Sequence, residues 1–195
     1  MQINVLIKAL VGPALLAAAV HAAPALAQSA AKLVGAQSEV TFVTKQMGVP
    51  VDGRFKKFDA QISLDPKKPE TGSVAFSIDT GSATLGVPES DAEMPKATWF
   101  NVAKFPQATF KSTAVKGLGN GKFEVTGKLD IKGNARDLVV PVQIAQSGAN
   151  STATGSFVIK RLDFKIGEAE WADTTVVAND VTVKFKLALT GLGPL

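Results

Sequence analysis

The chain has 195 residues, with 21 lysines and arginines against 17 aspartates and glutamates, so its formal net charge is +4 at pH 7. It contains no cysteine, no tyrosine and one histidine, His21, which lies in an apolar N-terminal stretch. If that stretch is removed, the chain cannot build a Ser-His-Asp triad, a cysteine nucleophile, an ordinary zinc site or a histidine-ligated haem.

Residues 1–27 have the layout of a secretory signal peptide, with a weakly charged start, an apolar run and a small-residue ending at Ala27. A membrane anchor is the alternative interpretation. However, Gly12 and Pro13 interrupt the run, which is shorter than the roughly 20 residues that a spanning helix needs. We therefore expect cleavage after Ala27, export to the periplasm, a mature domain of residues 28–195 and no remaining membrane span.

From residue 38 onward, most segments alternate apolar and polar residues, which is the pattern of half-buried antiparallel strands. In the clearest example, Phe123, Val125 and Leu129 alternate with mostly charged or polar residues. Lysines alternate with acids along these segments, so the positive charge indicates the solvated face of a sheet and not a nucleic-acid partner. In chain order, the predicted strands are 38–46, 51–64, 72–80, 107–115, 122–132, 138–144, 153–159 and 181–189.

The regular pattern is interrupted in several places. The apolar phase changes at Lys56-Lys57, which predicts a β-bulge or bend in one long strand. Residues 81–105 lack the alternation and predict a long connection with one or two short helices, often a lid. Pro141 has no N–H to donate, so the pairing there is expected to be bulged or loose. Residues 28–37 are expected to form a mobile leader.

About eight strands joined mostly by short turns predict an all-β up-and-down meander, which loses its edges if it closes into a barrel. A soluble eight-stranded barrel turns its apolar face inward and can hold one ligand, whereas a sandwich of two sheets leaves no cavity. A transmembrane barrel is disfavoured because it would place many lysines in a narrow lumen, and the chain lacks aromatic girdles. Periodicity alone leaves the sandwich and the soluble barrel open.

Five motifs follow one another along the chain: TFVTKQMG at 41–48, VDGRFKKF at 51–58, WFNVAKFPQATFKS at 99–112, VTGKLDIKG at 125–133 and IKRLDF at 159–164. Together they resemble the YceI-like, polyisoprenoid-binding periplasmic proteins. The resemblance implies an eight-stranded antiparallel lipocalin-like barrel with a short helical connection, an elongated apolar pocket and a long-chain isoprenoid or similar ligand. It also allows a homodimer. The chain departs from the family pattern at Gln46, where many members carry histidine, and in 87–94, which lacks an arginine-aspartate-x-histidine motif.

The leading hypothesis is a carrier that holds a polyisoprenoid, such as a quinone tail, or another long-chain amphiphile for transport or storage. Burial of the chain contributes about 0.8 kcal/mol gross per methylene, and ordering and association costs reduce that gain. No metal and no cofactor apart from the bound lipid is expected. The predicted lipid-binding residues are large apolar side chains: Phe42, Phe55, Phe58, Ile62, Phe76, Ile78, Trp99, Phe100, Phe110, Leu129, Phe157 and Phe185. For each, ordinary core packing is the alternative interpretation.

Arg161 and Asp163 are predicted to pair, either to orient a lipid head group near the pocket mouth or as a structural salt bridge at a strand end.

Two other functions remain open. An enzyme would need paired carboxylates, for which the candidates are Asp91 with Glu93, and Glu168 with Glu170 beside Trp171. Both pairs lie in turn-rich segments where solvated acids are the default, so catalysis is not favoured. A filled barrel acting as a stress-related structural or interaction protein is the other alternative, and it predicts no cavity.

Overall fold

The computed structural model describes residues 30–195, so the predicted signal peptide lies outside the described residues. Among these residues, no helix is long and apolar enough to cross a membrane. The strands are β1 (Ala30–Leu33), β2 (Glu39–Gln46), β3 (Val49–Phe55), β4 (Phe58–Ser63), β5 (Ser73–Asp79), β6 (Ala83–Thr84), β7 (Gln107–Gly119), β8 (Lys122–Ile131), β9 (Asn134–Ser147), β10 (Asn150–Lys160) and β11 (Asp180–Thr190). The α-helix is α1 (Pro88–Glu93), and 3₁₀ helices cover Gly35–Gln37, Pro69–Thr71, Thr80–Ser82, Arg161–Phe164 and Ala169–Trp171.

The strands close into one antiparallel barrel. β11 pairs with β2 over Thr182–Lys186 and with β1 at Leu189–Thr190, so β1 and β2 act as two halves of one wall strand. β3 and β4 form a second wall strand in the same way, and β5 and β6 form a third. The segments therefore make an eight-stranded ring. This confirms the predicted lipocalin-like barrel with a short helical connection.

Two predictions at the start of the barrel have different outcomes. The prediction of a mobile leader is wrong for the described residues. Ala31 pairs with Ile62 and Leu33 pairs with Leu189, so β1 is the strand segment that completes the ring. The predicted bend at Lys56-Lys57 is confirmed between β3 and β4. Ser82 stabilises it, since its carbonyl accepts from the Lys56 N–H at 3.2 Å and its hydroxyl from the Lys57 N–H at 3.0 Å.

The loose pairing predicted at Pro141 is found on one side of β9 only. Pairing with β8 is regular through Pro141, which lies opposite Glu124. Pairing with β10 ends at Val142 and Gly155, next to the proline that has no N–H to continue the ladder.

Phenylalanine rings lie over glycines on the inner face of the barrel. In each of three pairs, a Cβ added to the glycine would come within 2.2–2.5 Å of a ring carbon. A ring in that position rests against the sheet, so it takes up less of the space along the barrel axis than a ring pointing inward. The pairs are Gly53 with Phe42, Gly127 with Phe110, and Gly155 with Phe185.

We expect Gly53→Ala to lower the free energy of unfolding by about 1–3 kcal/mol, because the new methyl group displaces the Phe42 ring and overpacks the core. Gly35→Ala is the matched control, since a Cβ there has no atom within 4 Å, and it should change stability by less than about 0.5 kcal/mol. Denaturant unfolding measures both. Equal unfolding midpoints for the two variants would show that the Phe42 ring does not depend on Gly53.

Candidate functional site

The barrel contains two adjoining cavities. The first, which we call the loop cavity, has a volume of about 210 Å³ and lies beneath the connections 85–106 and 161–179. The second, the core cavity, has about 140 Å³, and Thr109 is the one polar residue in its wall. The two cavities share wall residues from five different strands, so they are compartments of one elongated interior. The shared residues are Ile78, Ala108, Leu129, Phe157 and Val183.

All but one of the predicted lipid-binding residues lie in a cavity wall. The loop cavity is lined by Phe42, Phe55, Ile78, Trp99, Phe100, Leu129 and Phe157. The core cavity is lined by Ile62, Phe76, Ile78, Phe110, Leu129, Phe157 and Phe185. Phe58 lies in neither wall; it follows the bend and stacks on Phe76, with 5.9 Å between ring centroids. Contact of these residues with a lipid stays a prediction.

The walls also contain residues that the sequence analysis did not select. Ile131 and Val183 share the strand phase of Leu129 and Phe185, so the alternation itself was a signal for them. Further additions come from irregular connections, where no periodicity shows which side chain turns inward. They include Leu85, Met94, Ile166, Trp171 and Val177.

Asp91 holds the helical connection against the barrel. Its carboxylate accepts hydrogen bonds from the Thr84 hydroxyl and, at 2.6 Å, from the Leu85 N–H. These two bonds, the Thr84 bond first, hold the pKa of Asp91 below its ordinary value. The carboxylate is therefore ionised at neutral pH and fastens α1 to β6.

Arg161 organises the other connection. Its side chain is 2 % exposed, and all five of its N–H groups donate to backbone carbonyls at 2.7–3.0 Å. Burial lowers the pKa of Arg161, but a guanidinium remains protonated at physiological pH. The accepting carbonyls belong to Ile166, Gly167, Trp171, Val177 and Ala178.

The predicted pair of Arg161 and Asp163 is not formed. Within residues 30–195 no ion pair joins the two side chains, because every Arg161 donor is used by a carbonyl. Asp163 is exposed, and its backbone carbonyl accepts from Arg136 Nη2 at 2.8 Å. Arg161 lies in the wall of the loop cavity, but it has no hydrogen bond left to offer a head group.

The candidate catalytic carboxylates do not form an acid–base pair. Asp91 is held by Thr84 and Leu85, and its lowered pKa is the wrong direction for a general acid. Among the other acids, Glu93 pairs with Lys96, Glu168 pairs with Lys132 at 2.9 Å, and Glu170 is exposed. In the described part of the chain, no cluster of three or more potential ligands could hold a metal ion.

Three buried polar atoms have no hydrogen-bond partner within residues 30–195. They are Thr44 Oγ1, Trp99 Nε1 and Trp171 Nε1, and all three residues lie in the wall of the loop cavity. The two indole rings contact each other, with 5.6 Å between centroids.

A closed eight-stranded barrel with an apolar interior beneath a helical connection is a lipocalin-like barrel. The chain belongs to the YceI-like family: the model of the YceI-like domain matches residues 32–189. A UPF0312 protein of Shewanella baltica is 32% identical over 174 residues, which cover 83% of this chain and 87% of that protein. A UPF0312 protein of Vibrio cholerae is 33% identical over 135 residues, which cover 67% and 71%. The predicted family is thus confirmed.

Solved structures share the fold. BcnA of Burkholderia cenocepacia is 44% identical with a TM-score of 0.78, over 80% of this chain and 99% of BcnA. A polyisoprenoid binding domain from Saccharophagus degradans, implicated in plant cell wall breakdown, is 21% identical with a TM-score of 0.67, over 84% of this chain and 99% of that domain. At that identity the second likeness concerns the fold alone.

We expect Arg161→Met to lower the free energy of unfolding by at least about 3 kcal/mol, because buried carbonyls lose charged hydrogen-bond partners. Lys160→Met is the matched control: the neighbouring cation is exposed and pairs with Asp180 at 3.3 Å, so its loss should cost less than about 1 kcal/mol. Urea unfolding measures the free energy of unfolding of both variants. Similar losses for the two would contradict the organising role of Arg161.

Asp91→Asn should lower the thermal unfolding temperature at pH 7, because the carboxylate is a stronger acceptor than the amide. Since folding lowers the pKa of Asp91, its stabilising effect is present above the ordinary value of about 3.9 and is lost as pH falls through the folded-state pKa. The difference between wild type and Asp91→Asn should therefore shrink below that pH. Glu89→Gln, which replaces an exposed acid on the same helix, is the control and should change the unfolding temperature at pH 7 by less than Asp91→Asn does. A difference for Asp91→Asn that did not change with pH would contradict this assignment.

Proposed function

We propose that this protein binds a polyisoprenoid, such as a quinone tail, or another long-chain amphiphile inside its barrel, and carries or stores it in the periplasm. The observation that supports this most directly is the pair of adjoining cavities, one of which has an almost wholly apolar wall. A ligand pocket of this kind selects by length and girth, with a few polar groups that orient the ligand. The polyisoprenoid binding domain with the same fold supports the class of ligand.

The interior suits a flexible chain better than a compact solute. The two cavities together reach the lower end of the roughly 300–1,000 Å³ range of ligand pockets, and they follow one another along the barrel. Each methylene buried there contributes about 0.8 kcal/mol before ordering costs. A filled barrel, which predicts no cavity, does not agree with this interior.

A binding function fits the polar residues better than catalysis does. The candidate carboxylates are either committed to hydrogen bonds and ion pairs or exposed to solvent. The proposed periplasmic location is supported by the signal-peptide layout of residues 1–27.

Native mass spectrometry of the exported protein, purified without detergent, tests the proposal. We expect a stoichiometric adduct that organic solvent extracts as an isoprenoid or fatty compound. A clean apo mass, with no uptake when polyprenols or prenyl quinones are offered, would refute lipid binding.

Ala108→Phe should block the uptake of added polyprenol, because Ala108 is buried where the two cavities meet and a benzyl group there fills the space. Ala145→Phe is the control, since Ala145 is exposed on β9 and the same substitution leaves the interior unchanged. Uptake of added polyprenol is measured for both variants by the same native spectrometry. Equal uptake by the two would show that the ligand lies elsewhere.

A further inference from the structure

Three residues in the mostly apolar wall of the loop cavity each have a buried hydrogen-bonding group without a partner. The indole N–H groups of Trp99 and Trp171 donate to nothing in the described chain, and the hydroxyl of Thr44, a residue 8 % exposed, is also unpartnered. A buried donor without a partner is costly, and native proteins leave few of them. Two such donors on adjacent rings therefore require an explanation.

The backbone holds the two indoles side by side. The Thr98 carbonyl, next to Trp99, accepts from the N–H groups of Gly167 and Glu168 at 2.8 and 2.9 Å. The carbonyl of Trp171 accepts from Arg161 Nη2 at 2.7 Å. The connections 85–106 and 161–179 are thus joined by hydrogen bonds where the two rings meet. The indole N–H groups therefore belong to a fixed part of the structure that covers the loop cavity.

The charged side chains of the same wall already have hydrogen-bond or ion-pair partners. Arg161 gives all its N–H groups to carbonyls, and Glu93 pairs with Lys96. An anionic head group would lose its hydration and, among the described wall residues, find no cationic side chain with a free N–H group to bind it, which is unfavourable in an apolar site. A neutral acceptor has no such cost.

We propose that Trp99, Trp171 and Thr44 form a subsite for an uncharged hydrogen-bond acceptor at the polar end of the bound lipid, such as the carbonyl of a quinone, ester or amide. This inference rests on the proposed lipid-binding function. The acceptor takes hydrogen bonds from the indole nitrogens while the apolar tail extends into the core cavity. Because both nitrogens are enclosed, neighbouring side chains move aside as the head group binds.

Displacement of Nile red by three probes, each with a C20 isoprenoid chain, tests the subsite. The probes are menaquinone-4, which carries two carbonyls, the anion geranylgeranyl diphosphate, and the hydrocarbon phytane. We expect menaquinone-4 to bind more tightly than either of the others. In the double variant Trp99→Phe with Trp171→Phe, which keeps aromatic rings but removes both N–H groups, its affinity should fall about tenfold. Phytane affinity should change by less than about twofold, because it makes no hydrogen bond.

The single variants provide the control for folding and a spectroscopic readout. The chain has two tryptophans and no tyrosine, so intrinsic fluorescence reports on this subsite directly. In Trp99→Phe and in Trp171→Phe, the remaining indole should be quenched by menaquinone-4 at saturation, and each affinity loss should be about threefold. The single variants decide the question if the double variant does not fold.

The outcomes separate this inference from the proposed function. Tighter binding of the diphosphate than of the quinone, or quinone affinity unchanged by the tryptophan substitutions, would overturn the subsite while leaving lipid binding intact. Failure of all three probes to displace the dye would overturn lipid binding, and the subsite with it.

Discussion

The open interior of this barrel depends on glycines that let phenylalanine rings rest against the sheet. An eight-stranded barrel is just wide enough for side chains to fill, so the direction of each ring decides whether space remains. Gly53 accommodates the Phe42 ring in this way, and Gly155 accommodates the Phe185 ring. The two cavities along the barrel axis follow from that arrangement.

The end of the barrel covered by the connections 85–106 and 161–179 combines a hydrogen-bonded frame with unsatisfied polar groups. Arg161 binds the 161–179 connection through five carbonyls, and Asp91 fastens the helical connection to β6. Both side chains give their hydrogen-bonding groups to the protein itself, so within residues 30–195 the wall of the loop cavity offers a ligand no cationic N–H group. The buried polar atoms without a partner are those of Trp99, Trp171 and Thr44 in the same wall, and this favours a neutral polar end on the ligand.

Strand periodicity predicted most of the fold and part of the site. It placed the strands and the bend at Lys56-Lys57, and all but Phe58 of the strand residues selected for lipid binding lie in a cavity wall, because side chains alternate between the two faces of a strand. It missed β1, since four residues are too few to show alternation and their pairing partners lie far along the chain. It also wrongly predicted a pair between Arg161 and Asp163. The two charges are two residues apart, and this spacing gives no information about the carbonyls that the 161–179 connection places around Arg161.

The sequence by itself determined the class of this protein: the alternation specifies an antiparallel meander, and the ordered motifs identify the YceI-like family. Tertiary structure decided whether that meander encloses a cavity, because ring direction depends on which glycine lies opposite each phenylalanine across the strands. It also decided which polar groups remain unpaired. Trp99 and Trp171 are 72 residues apart in the chain and come together only when two connections, without any periodic pattern, cover the same end of the barrel.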